Sequence, residues 1–549
     1  MTLYEVLKEN SMRYGECTAY SYFKEKCTFS ELIKAVEALG ARLFEDGIRK
    51  GDSVAVCLPN CPHLMASIYG INMIGARVVL LNPKSPADEL KRQLVMTDAK
   101  ALIFSTFAKK NVRGAVSECD ELKKLKFYYS SILEGLPMFF KMVCQKKLYP
   151  FGDISAIKDM VGKENCIPLK SVSDAINTKV PVNTDDKADA IVIFSGGTSG
   201  EIKAIVHSSV SINNSARSCS IIAKDYPTHL RILAILPAFH IFGLTVAIHF
   251  PMYSAGECVL VPFFHMGTIA KIIANDCPHV LPGVPTIFNR ISHSSAMKRY
   301  EKHGKVNISN FIWGICGGDY LTDDIRRDFT DFIKRNGGSG YISMGYGMSE
   351  CCPIAVSGRN DKGEGCVGEV FFGCRVTIDS QKESDSGELC LKSDFLMTKY
   401  FYEDKKEIYP LKDENGESYI KTGDIGHMSG NILFYEYRMR RIIKVSGNTI
   451  FAGTIENVIL KHSQVSEVHV VSVPHPTRGN SAFAFVVLKD SSDSENVSRE
   501  IYELCRTSLL PYAIPAKLHI CSVEDIDRTP LGKIAYGVLE KKAKSLMNS

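Results

Sequence analysis

Hydrophobic positions in the first 190 residues alternate between helical spacing and short continuous runs. Residues Thr28–Glu31 have the form of a helix capping box, and the apolar residues of 32–43 then recur at helical spacing. The run Val54–Leu58 is apolar throughout, as in a strand that is covered on both faces. A helix-like stretch over 64–75 leads into a second such run, Val78–Leu81. These repeated β–α–β units predict an α/β fold with largely parallel sheets covered by helices.

The pattern changes near residue 430. A basic cluster, Tyr437–Arg441, precedes a strand-like segment, Ile442–Ser446, and the residues that follow hold strand and helix signals of their own. We therefore predict a large N-terminal domain of mixed and parallel sheets over residues 1–439. A small α+β domain is predicted over residues 440–549.

The composition is that of a globular chain with more than one domain. Its 549 residues exceed one ordinary core, and 45% hydrophobic with 23% charged residues excludes a largely disordered or fibrous protein. The formal net charge of +5 is too small for this length to indicate nucleic acid as the partner. It is compatible with a local basic patch that receives an anionic small molecule.

The sequence predicts neither export nor insertion into a membrane. No apolar run approaches the roughly 20 residues that span a bilayer, and the N-terminus lacks a basic region followed by an apolar stretch. The 18 cysteines form no C-x-x-C pair, which favours reduced thiols in a cytoplasmic protein, and Cys351 and Cys352 have no partners at zinc spacing. The lysine-containing apolar segment Leu136–Leu148 could rest on a membrane surface, but a core-facing helix with one solvated side is favoured.

The segment Ile191–His207 carries the most informative chemical signal. An apolar strand runs into a loop and then, after Lys203, into another apolar strand. Glycines let several backbone N–H groups face one point, hydroxyls add donors and the lysine supplies positive charge, which together suit a polyphosphate. A strand rather than a helix follows the loop, so it is neither a P-loop nor a dinucleotide-binding turn, and a plain hairpin is the alternative. The loop residues are Ser195, Gly196, Gly197, Thr198, Ser199 and Gly200.

This loop resembles the phosphate loop of the adenylate-forming superfamily, which comprises acyl-CoA synthetases, luciferases and the adenylation domains of peptide synthetases. The family's loop reads Thr/Ser-Ser/Gly-Gly-Thr-Thr-Gly-x-Pro-Lys-Gly, and this sequence departs from it at Ser199, Ile202 and Ala204. Segments that resemble family motifs occur in the family's order between residues 195 and 533. The resemblance therefore covers nearly the whole chain, and it implies that the small C-terminal domain is mobile.

A second segment, Gly345–Glu350, resembles the family's Tyr-Gly-x-Thr-Glu motif. The resemblance implies that Tyr346, which Gly347 follows, stacks on adenine. It also implies that Ser349 contacts the α-phosphate and that Glu350 holds Mg²⁺. Each role suits the chemistry of its residue, because an aromatic ring stacks on a base, a hydroxyl binds phosphate and a carboxylate is a hard oxygen ligand.

Two more segments resemble motifs that contact the nucleoside. Gly317, Gly318 and Asp319 are similar to the family's turn beside adenine, with aspartate where the family has alanine or serine. The segment that ends at Asp424 resembles the one whose aspartate binds both ribose hydroxyls, and a carboxylate is a natural bidentate acceptor for a diol. Arg438 is implied as a further ribose contact.

The hinge and a C-terminal loop complete the resemblance. Arg440 takes the family's pivot position, Arg441 replaces its usual acidic residue, and the strand from Lys444 to Gly447 is implied to face a thiol. The last loop matches the family's Thr-x-x-Gly-Lys pattern and ends at Lys533. The resemblance makes Lys533 the catalytic residue, whose ammonium bridges the acyl carboxylate and the α-phosphate where charge builds in the transition state.

The segment Leu236–Gly243 resembles the border of the family's acyl pocket. Adenylation domains for α-amino acids have an aspartate here that pairs with the substrate ammonium, whereas this chain has Phe239 and His240. Burying an unpaired cation is costly, so a carboxylic acid without an α-amino group is favoured. We expect His240, with Phe239 and Phe242, to line or gate the pocket, and we include it among the candidate catalytic residues.

The apolar character of residues 239–263 and 136–151 is similar to that of fatty acyl-CoA synthetases and favours a medium- or long-chain fatty acid, with aryl acids as the alternative. The resemblance implies that the carboxylate attacks Mg-ATP, that acyl-AMP forms and that coenzyme A takes the acyl group. Loading of the phosphopantetheine of an acyl-carrier protein is one alternative, and a catalytically silent nucleotide-binding module is another. We expect a cytoplasmic protein, and peripheral membrane contact is an open alternative.

Overall fold

The computed structural model describes most of the chain. The residues outside the description are 24, 133–153, 170–179, 197–201, 224–228, 319–320, 353, 358–364, 380–385, 439–441, 446–447, 476–478, 490–493, 529–533 and 549. The segment Leu136–Leu148 therefore lies outside the described residues. Among the residues that are described, no helix is both long and apolar enough to cross a lipid bilayer.

The described α-helices occur along the whole chain. In chain order they are α1 Leu3–Arg13, α2 Phe29–Glu45, α3 Pro62–Met73, α4 Ala87–Met96, α5 Lys109–Ser117, α6 Ser155–Val161, α7 Ser209–Ile222, α8 Phe250–Tyr253, α9 Met266–Asp276, α10 Pro285–His293, α11 Ser295–Lys302, α12 Asp323–Arg335, α13 Ala452–Leu460, α14 Ser494–Ser508 and α15 Tyr536–Asn548. A π-helix over Gly243–His249 immediately precedes α8.

The strands alternate with these helices up to about residue 346 and become more frequent afterwards. They are β1 Thr18–Tyr22, β2 Glu25–Thr28, β3 Ser53–Cys57, β4 Arg77–Leu80, β5 Ala99–Ser105, β6 Lys126–Ser130, β7 Cys166–Pro168, β8 Asp189–Gly196, β9 Ile202–Ser208, β10 Arg231–Ala234, β11 Glu257–Leu260, β12 Val280–Gly283, β13 Trp313–Cys316, β14 Tyr341–Tyr346, β15 Val356–Ser357, β16 Cys366–Val370, β17 Cys374–Asp379, β18 Gly387–Ser393, β19 Lys399–Tyr402, β20 Glu407–Ile408, β21 Leu411–Lys412, β22 Ser418–Ser429, β23 Ile432–Arg438, β24 Ile442–Val445, β25 Asn448–Phe451, β26 Val465–His475, β27 Gly479–Leu488 and β28 Lys517–Cys521.

The chain forms two compact units. The first contains Met1–Asn360, Gly368–Arg375 and Leu391–Ile420, and the second contains Asp361–Val367, Val376–Cys390 and Lys421–Ser549. Strands β16, β17, β18 and β22 contain residues of both units.

The first unit contains a nine-stranded mixed sheet with the order β20-β19-β9-β8-β4-β3-β5-β6-β7. Its strands from β8 to β7 run parallel to one another, whereas β8, β9, β19 and β20 pair antiparallel. All five residues of β3 are buried, as expected for a parallel strand that is covered on both faces. The predicted α/β class with mixed and parallel sheets is therefore confirmed.

The first unit also contains the stretch β15-β14-β13-β12-β10-β11-β1-β2 of a second, larger sheet. The strands from β1 to β14 are parallel along this order, whereas β2 pairs antiparallel with β1 and β15 pairs antiparallel with β14. Every residue of β12 and β13 is buried. Because β13 and β14 pair in parallel, their carboxyl ends lie side by side at one edge of the sheet.

Local signals in the first unit predict its helices well. The Thr28 hydroxyl accepts from the backbone N–H of Glu31, and the Glu31 carboxylate accepts from the N–H of Thr28 at 2.8 Å. This reciprocal pair is the predicted capping box, and it begins α2 at Phe29. The apolar positions of α2, including Leu32 and Val36, are buried.

The second unit has its own α+β core. Strands β25, β24, β27 and β26 form an antiparallel sheet, and β28 pairs parallel with β27. Helices α13 and α14 pack their apolar residues onto one buried cluster, and α15 contributes to another. The small α+β region predicted at the C-terminal end of the chain is confirmed.

Candidate active site

The predicted phosphate loop joins two strands of the first unit. Strands β8 and β9 pair antiparallel, with Ser195 opposite Lys203 and Gly196 opposite Ile202. The strand–loop–strand arrangement predicted from the sequence is therefore present. The remaining loop residues of the prediction, Gly197, Thr198, Ser199 and Gly200, lie outside the described residues.

The structure brings Lys203 of this hairpin to Glu350, although 147 residues separate them in the chain. The Lys203 Nζ lies 3.2 Å from the Glu350 Oε1. Glu350 stands in a short 3₁₀ turn, Ser349–Cys351, which follows the end of β14. Its side chain is only 7% exposed, so this ion pair is screened far less than a surface pair. Two residues that the sequence predicted from separate motifs therefore meet in one place.

Tyr400 of β19 completes this cluster, and sequence reasoning missed it. Its hydroxyl donates to the Glu350 Oε1 at 2.7 Å, and the Lys203 ammonium lies 4.2 Å from the centre of its ring. No motif marks this position, because its placement depends on the pairing of β19 with β9. That register sets Tyr402 opposite Lys203 and Tyr400 opposite Ile205, so both tyrosines lie on the sheet face that carries the lysine.

A buried histidine and a buried cysteine hold the backbone at Ser349. The His207 Nε2 lies 2.9 Å from the Ser349 carbonyl oxygen, and the His207 Nδ1 lies 2.9 Å from the Cys352 Sγ. A carbonyl oxygen only accepts, so Nε2 carries the proton and Nδ1 accepts from the thiol. Burial lowers the pKa of His207 to about 4, although the hydrogen bond to Ser349 acts to raise it. Burial also raises the pKa of the Cys352 thiol well above its usual range. The pair is therefore neutral and acts as a support rather than a nucleophile.

We expect acidification to destabilise the first unit through its buried histidines. Burial lowers the pKa of His207 to about 4 and the pKa of His249 to about 3, whereas a histidine in the unfolded chain takes up its proton near 6.5. The unfolded state thus binds more protons between these values, and the free energy of unfolding should fall by about 2 kcal/mol for each histidine between pH 7.5 and pH 5. Urea unfolding followed by the single tryptophan, the buried Trp313 of the first unit, measures this.

His207→Gln should reduce that pH dependence, because glutamine keeps a donor for the Ser349 carbonyl but does not titrate. His303→Gln, at an exposed position, should leave it unchanged. An identical slope in His207→Gln and the wild type would refute this assignment of the effect.

The predicted turn beside adenine lies at the shared edge of β13 and β14. Cys316 pairs with Met344, so Gly317 and Gly345 continue from neighbouring parallel strands. Gly318 is exposed and has φ +81°, a backbone conformation that favours glycine. Tyr346 is buried at the end of β14, and Gly347 follows it. Asp319 of the predicted turn lies outside the described residues.

The predicted acyl-pocket segment contacts this same edge. A Cβ placed on Gly317 would lie 3.1 Å from the ring of Phe242, so that ring packs against the glycine backbone. Phe239 and His240 are half-buried, and their ring centres lie 4.7 Å apart. A Cβ on Gly243 would overlap the Pro237 carbonyl, so only glycine fits where the π-helix begins.

Asn60 fixes the backbone that leads to His240, and sequence reasoning missed it. Its Nδ2 donates to the carbonyl oxygens of Ala234 and Leu236 at 2.9 and 2.8 Å, and its Oδ1 accepts from the N–H of Ala238 at 3.0 Å. Asn60 follows β3 of the nine-stranded sheet and is 2% exposed. Because its partners come from a segment distant in the chain, no local signal could have identified it.

In the second unit, two predicted ribose contacts lie on neighbouring strands of one hairpin. Asp424 of β22 pairs in register with Arg438 of β23. The Asp424 side chain is buried, and its backbone N–H donates to the Thr422 hydroxyl at 3.0 Å. Gly423, which lies between Thr422 and Asp424 in the chain, has φ +71°, and its N–H donates to the Glu388 carboxylate. This tight turn accounts for the glycine of the Thr-Gly-Asp motif.

Other predicted residues of the second unit are described only in part. Lys444 lies in β24, whereas Arg440, Gly447 and Lys533 lie outside the described residues. The loop that carries Lys533 begins and ends at an antiparallel bridge between Arg528 and Ile534.

The donor set at Glu350 suits a magnesium ion that also binds phosphate. The described residues contain no group of three or more His, Cys, Asp or Glu side chains that could hold a metal by themselves. Magnesium at phosphate sites needs only one or two carboxylates, since phosphate oxygens and water fill its other positions. A single buried carboxylate beside a lysine meets that requirement.

The fold and these clusters fit the predicted class, an enzyme that binds a phosphate-bearing nucleotide. The sequence model described as AMP-binding enzyme matches residues 7–401, and the one described as AMP-binding enzyme C-terminal domain matches residues 454–533. The chain therefore belongs to the AMP-binding enzyme family, which confirms the resemblance drawn from its motifs.

Individual relatives resemble the chain over almost its full length. A long-chain-fatty-acid–CoA ligase of Bacillus subtilis (strain 168) is 27% identical and covers 97% of this chain and 93% of its own. The solved structure of a Mycobacterium tuberculosis fatty acyl CoA synthetase is similar with a TM-score of 0.71 and 22% identity, covering 99% of each chain. That of the anthranilate CoA ligase AuaEII has a TM-score of 0.77 and 18% identity, covering 100% of this chain and 98% of that one. These structural likenesses establish the shared fold.

Proposed function

We propose that this enzyme activates a fatty acid with ATP to form acyl-AMP and pyrophosphate, and that it then transfers the acyl group to coenzyme A. The cluster of Lys203, Glu350 and Tyr400 is the observation that carries the proposal. The buried Glu350 carboxylate beside the Lys203 ammonium supports the proposal, because this pair suits a divalent ion and phosphate. The family assignment supplies the nucleotide.

Residues of the first unit bind and orient ATP in this proposal. Lys203 and the β8–β9 loop hold the phosphates, and Ser349 contacts the α-phosphate. Glu350 holds Mg²⁺, which neutralises charge on the phosphate oxygens when it is bound. Gly317, Gly318 and Asp319 border the adenine, on which Tyr346 stacks.

Residues of the C-terminal part serve the ribose and the chemistry. Asp424 and Arg438 bind the ribose hydroxyls, and their direct pairing in one hairpin supports a shared ligand. Lys533 stabilises the charge that develops while the carboxylate attacks the α-phosphorus and pyrophosphate leaves. Aligning the two anions is the main task of the protein in this step.

The second half-reaction is proposed to use a domain movement. Residues 440–549 form the mobile domain, which turns about Arg440, withdraws Lys533 and presents the strand from Lys444 to Gly447 to the thiol. The thiol attacks the acyl carbonyl, and AMP leaves. One cavity then serves both steps.

The acid is proposed to be a medium- or long-chain fatty acid. No carboxylate occurs in Leu236–Gly243 to pair with an α-ammonium group, which argues against amino acids. The relatives named above as fatty acid ligases support an alkyl chain, and the likeness to an anthranilate ligase makes aryl acids the comparison to test.

Carboxylate-dependent exchange of pyrophosphate into ATP tests the proposal. A panel of saturated fatty acids, benzoate and α-amino acids should give the fastest exchange with medium- or long-chain fatty acids. Thioester formation should then saturate with free coenzyme A. If thioester formation depends on an acyl-carrier protein and not on free coenzyme A, the carrier protein is the acceptor. If no acid supports exchange, the protein is a silent nucleotide-binding module.

We expect Asn60→Ala to weaken acid binding selectively. The change leaves two buried carbonyls and one N–H of the segment 234–238 without their partner. The KM for the fatty acid in pyrophosphate exchange should rise about tenfold, while the KM for ATP changes little. Asn111→Ala, which removes one hydrogen bond to the Ser85 carbonyl in the same unit, is the control. An equal rise in both KM values would show a general loss of structure instead.

A further inference from the structure

Three side chains of the first unit interact in pairs around one carboxylate oxygen. The Glu350 Oε1 accepts from the Tyr400 hydroxyl at 2.7 Å and lies 3.2 Å from the Lys203 Nζ. The same lysine ammonium lies 4.2 Å from the centre of the Tyr400 ring. One tyrosine thus contacts both opposite charges of the site, the anion through its hydroxyl and the cation through its ring.

The two oxygens of Glu350 are used differently. Within the described part of the chain, the hydrogen bonds to this carboxylate end on Oε1, and Oε2 accepts none. Two partners on one oxygen fix the rotation of the carboxylate group. Oε2 is therefore the oxygen that is left for a metal.

We propose that Tyr400 is a positioning residue that fixes Glu350 so that its Oε2 receives the divalent ion bound with ATP, while the tyrosine ring holds the Lys203 ammonium ready for phosphate. This inference rests on the proposed function, because it assigns the carboxylate to metal and the lysine to nucleotide.

The hydroxyl and the ring have separable effects. A hydrogen-bond partner behind a metal ligand typically contributes tenfold or more to metal affinity, because it fixes the orientation of the ligand. The ring attracts the ammonium through its negatively charged face, an interaction that strengthens when it is shielded from water. Loss of the hydroxyl should thus affect the metal alone, and loss of the ring should also affect the nucleotide without metal.

Calorimetric titration of the full-length protein distinguishes these effects. ATP is titrated into the protein with excess Mg²⁺ and, separately, with EDTA. The dissociation constant with EDTA divided by the one with Mg²⁺ measures how much the metal contributes. Tyr400→Phe should lower this ratio about tenfold and leave the affinity for metal-free ATP within about twofold. Tyr400→Leu should lower the ratio as well and also weaken metal-free ATP severalfold.

Tyr409→Phe is the matched control. The Tyr409 hydroxyl also donates to a carboxylate, that of Glu407 at 2.5 Å, but Tyr409 is exposed. This variant should bind both forms of ATP as the wild type does.

Each result has one meaning. An unchanged ratio in Tyr400→Phe, or an equal loss of affinity for both forms of ATP, would overturn the positioning role and leave the proposed function standing if the wild type still exchanges pyrophosphate. A wild type that neither binds ATP nor exchanges pyrophosphate would overturn the proposed function and this inference with it.

Discussion

Replacing Lys533 with alanine is expected to lower carboxylate-dependent pyrophosphate exchange about a thousandfold, because a preorganised cation at the developing charge contributes on this scale. Thioester formation from supplied acyl-AMP and coenzyme A should remain close to the wild-type rate. The proposed domain movement withdraws Lys533 before the thiol attacks, so the second step does not use it. Both rates are measured on the same preparation.

Lys541→Ala is the control for this experiment, since Lys541 is an exposed lysine of the same unit. It should leave both half-reactions unchanged. If Lys533→Ala loses the two steps to the same extent, the separation of roles between the half-reactions is wrong.

Replacing Glu350 with glutamine is expected to lower pyrophosphate exchange about a hundredfold, since the substitution removes the charged ligand of the proposed magnesium site. Glutamine keeps the length of the side chain and an oxygen that can accept from Tyr400. The loss should therefore appear in ATP binding with Mg²⁺ and in rate more than in folding. Fluorescence of the buried Trp313 checks that the first unit remains folded.

Glu407→Gln is the matched control for this variant. The Glu407 carboxylate lies 2.8 Å from the Lys399 Nζ and accepts from the Tyr409 hydroxyl at 2.5 Å, so it has the same two kinds of partner at a more exposed position. The hydrogen bonds from Lys399 and Tyr409 lower the pKa of Glu407, although its burial acts in the opposite direction. Glu407→Gln should retain wild-type exchange. A Glu350→Gln enzyme within threefold of wild type at limiting Mg²⁺ would contradict the role of the carboxylate.

Local sequence patterns predicted much of the fold because their causes are local. The capping box at Thr28–Glu31 begins α2, and the apolar run at Val54–Leu58 corresponds to the buried β3. Lys203 and Glu350 could be predicted because each lies in a short segment with a recognisable composition. Their ion pair confirms that these two segments converge.

The residues that sequence reasoning missed act across distances that no local pattern encodes. Tyr400 reaches Glu350 because β19 pairs with β9 in one register, and a shift of one residue would turn its side chain to the other face. His207 and Asn60 are similar, since each binds the backbone of a segment more than 140 residues away. Such positions require the three-dimensional pairing of the strands.

The most direct test of the account follows an oxygen atom from the acid. A fatty acid labelled with ¹⁸O in both carboxylate oxygens is converted completely with ATP and coenzyme A, and the AMP is analysed by mass spectrometry. Attack of the carboxylate on the α-phosphorus predicts one ¹⁸O atom in each AMP. Unlabelled AMP, or ADP formed with the label in inorganic phosphate, would contradict activation through an acyl-adenylate.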